Sequence, residues 1–159
     1  MTHIIAVDPG NTESAFVRIN ATTCQPISAG KHPNATIRGI LDVFGDELIA
    51  VEMVASYGMP VGAEVFETCV AIGRYIQIAP HAQLVYRRDV KLHLCGTARA
   101  SDANITQALV DRFAPGQANR GKGTKGKPGF FHGFKADVWQ AMALAVYVAD
   151  TYRQETRNA

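Results

Sequence analysis

Short apolar runs that end in a carboxylate punctuate this chain. Ile4-Ile5-Ala6-Val7 runs straight into Asp8, and Leu48-Ile49-Ala50-Val51 into Glu52. Neither run alternates with polar residues, the pattern of a strand buried on both faces. Pro9-Gly10 then turns the chain, which sets Asp8 at the last position of the first strand. A second strand, over 14–20, alternates. Phe16 and Arg18 take one side, and Ala15, Val17 and Ile19 the other. The short gap between the two predicts a hairpin. A third, short strand near 27–30 completes a meander. Pro33-Asn34 opens a helix with Asn34 as the expected N-cap. Ile37, Ile40, Leu41 and Phe44 recur at helical spacing, and Gly45 ends the element.

Beyond the strand that ends at Glu52, residues 53–62 read as a loop. A helix over 63–77 follows, with Val65, Phe66, Cys69, Val70, Ile72 and Gly73 on its expected inner side. A fifth strand spans 82–86 and leaves through a basic exit, Arg87-Arg88-Asp89-Val90-Lys91. Ser101 is placed to cap a further helix whose buried stripe is Ile105, Ala108, Leu109 and Phe113. Residues 115–129 mix five glycines with Arg120, Lys122, Lys125 and Lys127. That composition predicts a mobile basic loop, over about 115–133, too polar to pack. The last helix, 136–152, is apolar nearly all round and so belongs against a sheet. Asp137 stands at its N-terminal end. The order predicts a single α/β domain over 1–159. Its mixed five-stranded sheet has three antiparallel strands and then parallel ones, with helices on both faces.

Composition narrows the class. The chain is 47% hydrophobic and 19% charged, an ordinary globular balance. No apolar run reaches membrane-spanning length and no signal-peptide pattern opens the chain, so a cytoplasmic setting without a membrane partner is expected. Cys24, Cys69 and Cys95 lack disulfide or metal-ligand spacing, and Cys69 and Cys95 are expected to be buried thiols. Net charge is +2, but residues 87–127 carry nine basic side chains against three acidic ones. That concentration points to a polyanionic partner.

Asp8, Glu52 and Asp137 carry the candidate chemistry. Sites in α/β sheets form beyond the strand ends. Neighbouring first and fourth strands would bring Asp8 beside Glu52, and the last helix could add Asp137. Two carboxylates about 4 Å apart repel by about 4 kcal/mol at an effective dielectric of 20. Three therefore call for a cation. Oxygen ligands without Cys or His spacing select Mg²⁺ or Mn²⁺. Two such ions can activate water and steady the leaving oxygen in phosphodiester cleavage. No P-loop pattern is present, which argues against ATP hydrolysis by that route.

In Ile5-Ala6-Val7-Asp8-Pro9-Gly10, Ile49-Ala50-Val51-Glu52 and 136–145 the chain resembles the RuvC-type Holliday-junction resolvases of the ribonuclease H-like superfamily. Ser56-Tyr57-Gly58-Met59 and Val65-Phe66-Glu67-Thr68 look like the phage-encoded branch. The resemblance implies that Asp8, Glu52 and Asp137 are three of four metal-binding carboxylates. The fourth position is Gln140, which offers only a neutral carbonyl oxygen. His132, Glu64, Glu67 or Asp102 could compensate. Arg87, Arg88, Lys91 and Arg99 are the implied DNA contacts. Lys122, Lys125 and Lys127 could clamp phosphates, and Tyr57 could stack on a base. The implied partner is a four-way DNA junction and the implied assembly a homodimer, since two symmetric cuts need two symmetric sites. The helix face near Val65, Phe66 and Cys69 would supply its surface. Two alternatives stay open. One is a binding module that grips branched nucleic acid and has lost cleavage through Gln140. The other is half of an actin-like ATPase, for which the chain is too short to supply both lobes.

Overall fold

The central strand is β1 (His3–Asp8), and in a computed structural model, which describes residues 2–159, the sheet grows from it in both directions. Strands β2 (Glu13–Asn20) and β3 (Pro26–Pro33) add antiparallel on one side; β4 (Leu48–Met53) and β5 (Gln83–Tyr86) add parallel on the other. The order is β3-β2-β1-β4-β5, the mixed five-stranded sheet that the apolar runs predict. Helix α1 (Asn34–Val43) joins β3 to β4, and α2 (Ala63–Ile78) joins β4 to β5. After β5 come α3 (Arg87–Cys95), α4 (Asp102–Phe113) and α5 (Val138–Asn158). Among the described residues no helix is long and apolar enough to cross a membrane.

Alternation along β1 explains why its run is apolar throughout. Ile5 and Val7 face a core shared with Ile37 and Leu41 of α1 and Ile72 and Tyr75 of α2. Ile4 and Ala6 face a second core formed with α3, α4 and α5. Both faces are covered, so no position between the ends of the strand is polar. Helix α5 lies across β1, β2 and β4, with α3 and α4 packed on its other flank. That double coverage accounts for its all-round apolar sequence. Asp150 ties this layer together. It meets Arg112 of α4 at 2.7 and 2.8 Å, Arg153 at 2.8 Å, and lies 2.7 Å from His93 of α3. Burial would raise its pKa, but Arg112 and His93 outweigh burial and hold it below the ordinary carboxylate value.

Several expectations are corrected. Residues 87–95 form a helix rather than a basic exit. Only Val90 on it is buried, so it has no apolar stripe to read. Pro33, not Asn34, is the N-cap of α1, and it makes no capping bond. The Asn34 amide turns instead to the Gly10 and Asn11 carbonyls at 3.0 and 3.2 Å. The inner side of α2 is Thr68, Ala71, Ile72 and Tyr75, with Phe66 and Val70 exposed. Tyr75 sets that rotation by reaching the hydroxyl of Ser14 inside the core. Cys24 is the buried thiol, while Cys69 and Cys95 are half-buried. Ser101 does cap α4, in a reciprocal pair with Asn104.

The glycine-rich run also packs. Phe131 is wholly buried against Phe134 and Trp139, and Phe130 stacks on Phe113. Gly123 and Pro128 form a β-bridge, and the Phe131 amide donates to the Gly121 carbonyl at 2.8 Å. Gly121 has φ +80°, and a Cβ there would stand 2.5 Å from the Ala114 methyl and 2.9 Å from the Phe131 ring. Glycine serves close approach here. Gly121→Ala combines a strained φ with a clash, and should destabilise the fold by about 1–3 kcal/mol, read as a lower urea midpoint.

Candidate active site

Asp8 closes β1, opposite Ala15 in the hairpin register. The turn that follows is built tightly. A Cβ on Gly10 would stand 2.2 Å from the Glu13 carbonyl oxygen, so only glycine fits. The Gly10 amide donates to Ser14 Oγ at 3.1 Å, and Ser14 Oγ donates to Asn34 Oδ1 at 2.8 Å. With its single proton spent there, the Ser14 hydroxyl accepts from Tyr75 Oη at 2.7 Å. Ser14 and Tyr75 are buried, so this network fixes the turn against the core.

Glu52 reaches Asp8 through the parallel register. Val51 is level with Val7, so the next residue of each strand carries a carboxylate at the same sheet end. Tyr86 lies level with Met53 on the far side of β4, and Arg87 opens α3 immediately after it. The Arg87 guanidinium fills the space between the acids. Its Nε is 2.8 Å from Glu52 Oε1, and its Nη2 is 3.5 Å from Asp8 Oδ1 and donates to Glu52 Oε2 at 3.3 Å. Nη1 is 3.8 Å from Asp102 at the head of α4. The buried Nε points off the line to Oε1, so that contact is an ion pair without a hydrogen bond.

Burial dominates the electrostatics. The carboxyl of Asp8 is pushed up to about 8, first by burial and then by Glu52, against the pull of Arg87. Glu52 is raised by burial too, with Arg87 the main offset. Burial opposes the charge on Arg87, but Glu52 and Asp8 outweigh it and hold the guanidinium above its ordinary value.

Asp137 is the N-cap of α5, makes no capping bond, and stays half exposed. Its Oδ2 pairs with Lys31 Nζ of β3 at 2.6 Å. Asp8, Lys31, Arg87 and Asp137 line one cavity of about 280 Å³. Asp137 therefore stands on the rim of the site, with Lys31 as its partner. Among the described residues no three His, Cys, Asp or Glu side chains gather closely enough to hold one ion. Asp8 and Glu52 alone form a preassembled pair, and they already share a cation. Gln140 is buried one helical turn beyond Asp137.

The other candidates separate. Tyr57, with φ +50° and its ring exposed, lines a second cavity of about 410 Å³ together with Arg87, Arg88, Lys91 and Ala98. Arg99 is exposed on the loop between α3 and α4. Lys127 lines a third cavity with Gln25, beyond the strand end at Asn20, which pairs with His3. That is the end of the sheet opposite Asp8. Lys122 and Lys125 belong to the same loop, and Lys122 accepts from Gly129 and His132 through its carbonyl. Of the proposed substitutes for a fourth carboxylate, only Asp102 reaches Arg87. Glu67 accepts from Asn11 at 3.3 Å, beside the turn, and Glu64 lies exposed at the head of α2. Sequence reading missed Lys31, because β3 extends beyond its expected end, and it missed the support from Ser14 and Tyr75.

This sheet order, with acids at the ends of two parallel neighbours and a long helix crossing them, defines a ribonuclease H-like fold. It is the RuvC type. The chain matches the Thermus thermophilus RuvC structure at a TM-score of 0.70 with 16% identity, covering 98% of both chains. It matches T. thermophilus RuvC in complex with a Holliday junction substrate at 0.71 with 15% identity, again over 98% of both. No protein-family model matches the chain, and no curated protein matches it in sequence.

The raised carboxyl of Asp8 sets the sign of a pH effect. A group with a folded pKa above its unfolded value contributes stability at low pH and loses it as pH rises through the folded value. Asp8→Asn removes that loss. The thermal midpoint of the variant minus that of the wild type, without added metal, should grow between about pH 4 and pH 8. A flat difference would show that Asp8 ionises as if exposed.

Proposed function

We propose that this chain is a divalent-metal-dependent endonuclease that hydrolyses phosphodiesters in branched DNA. The observation that carries this reading is the half-buried Asp8–Glu52 pair at adjacent strand ends, with Asp8 open to a cavity rimmed by Asp137. The RuvC-type fold and the neighbouring basic cavity support it. The pair fits a hard cation, since its oxygens already converge on a shared positive group. Asp8 and Glu52 would hold Mg²⁺ or Mn²⁺, and Asp137 and the Gln140 carbonyl would complete a second position. When bound, such ions supply an activated water and neutralise charge on the leaving oxygen.

The protein's own groups do the rest. Arg88 and Lys91 attract the backbone beside the site, and Tyr57 offers a ring to an unstacked base from a strained backbone. Exposed Phe66 and Val70 on α2, with Leu84 and Tyr86 on β5, offer an apolar surface for a second copy. A two-fold pair would present two sites to a four-way junction. The 56–59 and 65–68 motifs favour the phage-encoded branch and hence a cytoplasmic setting in a bacterial or phage-infected cell.

The alternative is a module that binds branched DNA without cutting it. The Lys31–Asp137 pair and the uncharged Gln140 favour it. Cleavage of a labelled four-way junction, beside linear duplex, in Mg²⁺ and in Mn²⁺ decides between the two. The nuclease reading expects paired nicks on the junction, reduced at least about a hundredfold in Asp8→Asn and in Glu52→Gln. Unchanged cleavage in either variant would overturn it. Tight binding with no cuts in either metal, reversed by Gln140→Asp, would establish the binding module.

A further inference from the structure

Arg87 borders two cavities at once. On one side it faces the hollow of Asp8, Lys31 and Asp137; on the other, the hollow of Tyr57, Arg88 and Lys91. Its guanidinium spans Glu52, Asp8 and Asp102 at 2.8, 3.5 and 3.8 Å. Only one of its hydrogen bonds to these acids is formed, at 3.3 Å to Glu52, and the buried Nε has no acceptor. An arginine seated for structure forks onto one carboxylate. Arg112 does so with Asp150, at 2.7 and 2.8 Å. Arg87 straddles Glu52 only off line, with Nε and Nη2 against its two oxygens at 2.8 and 3.3 Å, and spreads its remaining reach over Asp8 and Asp102. Charge holds it there more than geometry does, and a better-fitting cation can displace it.

We propose that Arg87 is a resident counter-ion: it occupies the place between Asp8 and Glu52 that a divalent ion takes, and turns into the adjoining basic cavity, toward a DNA phosphate, when the ion binds. The inference rests on the metal-dependent reading above. It gives Arg87 a role distinct from fixed support, because a support would strengthen ion binding whereas a resident competitor weakens it.

Calorimetric titration of Mn²⁺ alone into the full chain tests this, with wild type, Arg87→Gln, Arg87→Lys and Asp8→Asn compared. Arg87→Gln should bind Mn²⁺ about tenfold or more tightly than wild type. Without metal its thermal midpoint should fall, because Asp8 and Glu52 lose their shared partner, and Mn²⁺ should raise that midpoint further than it raises the wild type's. Arg87→Lys, whose single ammonium cannot span three acids, should show a smaller gain, and it decides alone if Arg87→Gln fails to fold. Equal or weaker binding by folded Arg87 variants would overturn the counter-ion role and leave the metal reading intact. Absence of binding by wild type and by every Arg87 variant would overturn both.

Discussion

Two carboxylates half-buried side by side, as Asp8 and Glu52 are, do not both stay charged without a cation between them. At about 4 Å and an effective dielectric of 20 their repulsion is about 4 kcal/mol, comparable to a large share of a domain's net stability. Arg87 meets that requirement in this molecule, and much of the local architecture follows from it. β5 lies parallel beside β4 and ends level with Met53, so the next residue emerges next to Glu52. Helix α3 begins on that residue, and the head of α4 brings Asp102 to its far side. The compensation is incomplete. Asp8 still has a carboxyl pushed up to about 8, because burial and Glu52 together exceed the pull of one shared guanidinium.

The acids are held from opposite faces of the sheet. Below Asp8, the Ser14, Asn34 and Tyr75 network locks the Gly10 turn to α1 and α2. Above it, α5 crosses β1 closely, with Ala141, Ala145 and Ala149 fully buried, and its N-cap delivers Asp137 to the rim. A loosened core on either face would move one acid relative to another. The cavity walls are thus built on the sheet, and Arg87 and Lys31 reach into them as long side chains.

What the sequence disclosed divides by the range of the interaction. β1 and β4 were legible because a strand covered on both faces must be continuously apolar, and as parallel neighbours they set Asp8 and Glu52 level at one sheet end, with β4 running one residue further to Met53. α5 was legible for the same reason. α3 was not, since a helix with one buried residue leaves no periodic trace. The glycines of 115–129 read as freedom, yet Gly121 is needed for contact with Ala114 and Phe131, a distinction composition cannot make. Arg87 read as one of several basic residues facing DNA. Charge along a chain does not say which way a side chain turns, and the Lys31–Asp137 pair spans 106 residues of sequence.

The placement of positive charge has its own consequence. The basic residues of 87–127 read as one feature, but the fold divides them. Arg88 and Lys91 sit beside the acids, whereas Lys127 lines a cavity with Gln25 at the other end of the sheet. β1 is six residues long, so the two ends of the strand lie roughly 20 Å apart. Positive charge near the acids is therefore carried by Arg88 and Lys91, and that of Lys127 stands apart from it. A mononucleotide is too small to touch both zones. Attraction to an extended polyanion would draw on both zones, and attraction to a compact one on a single zone.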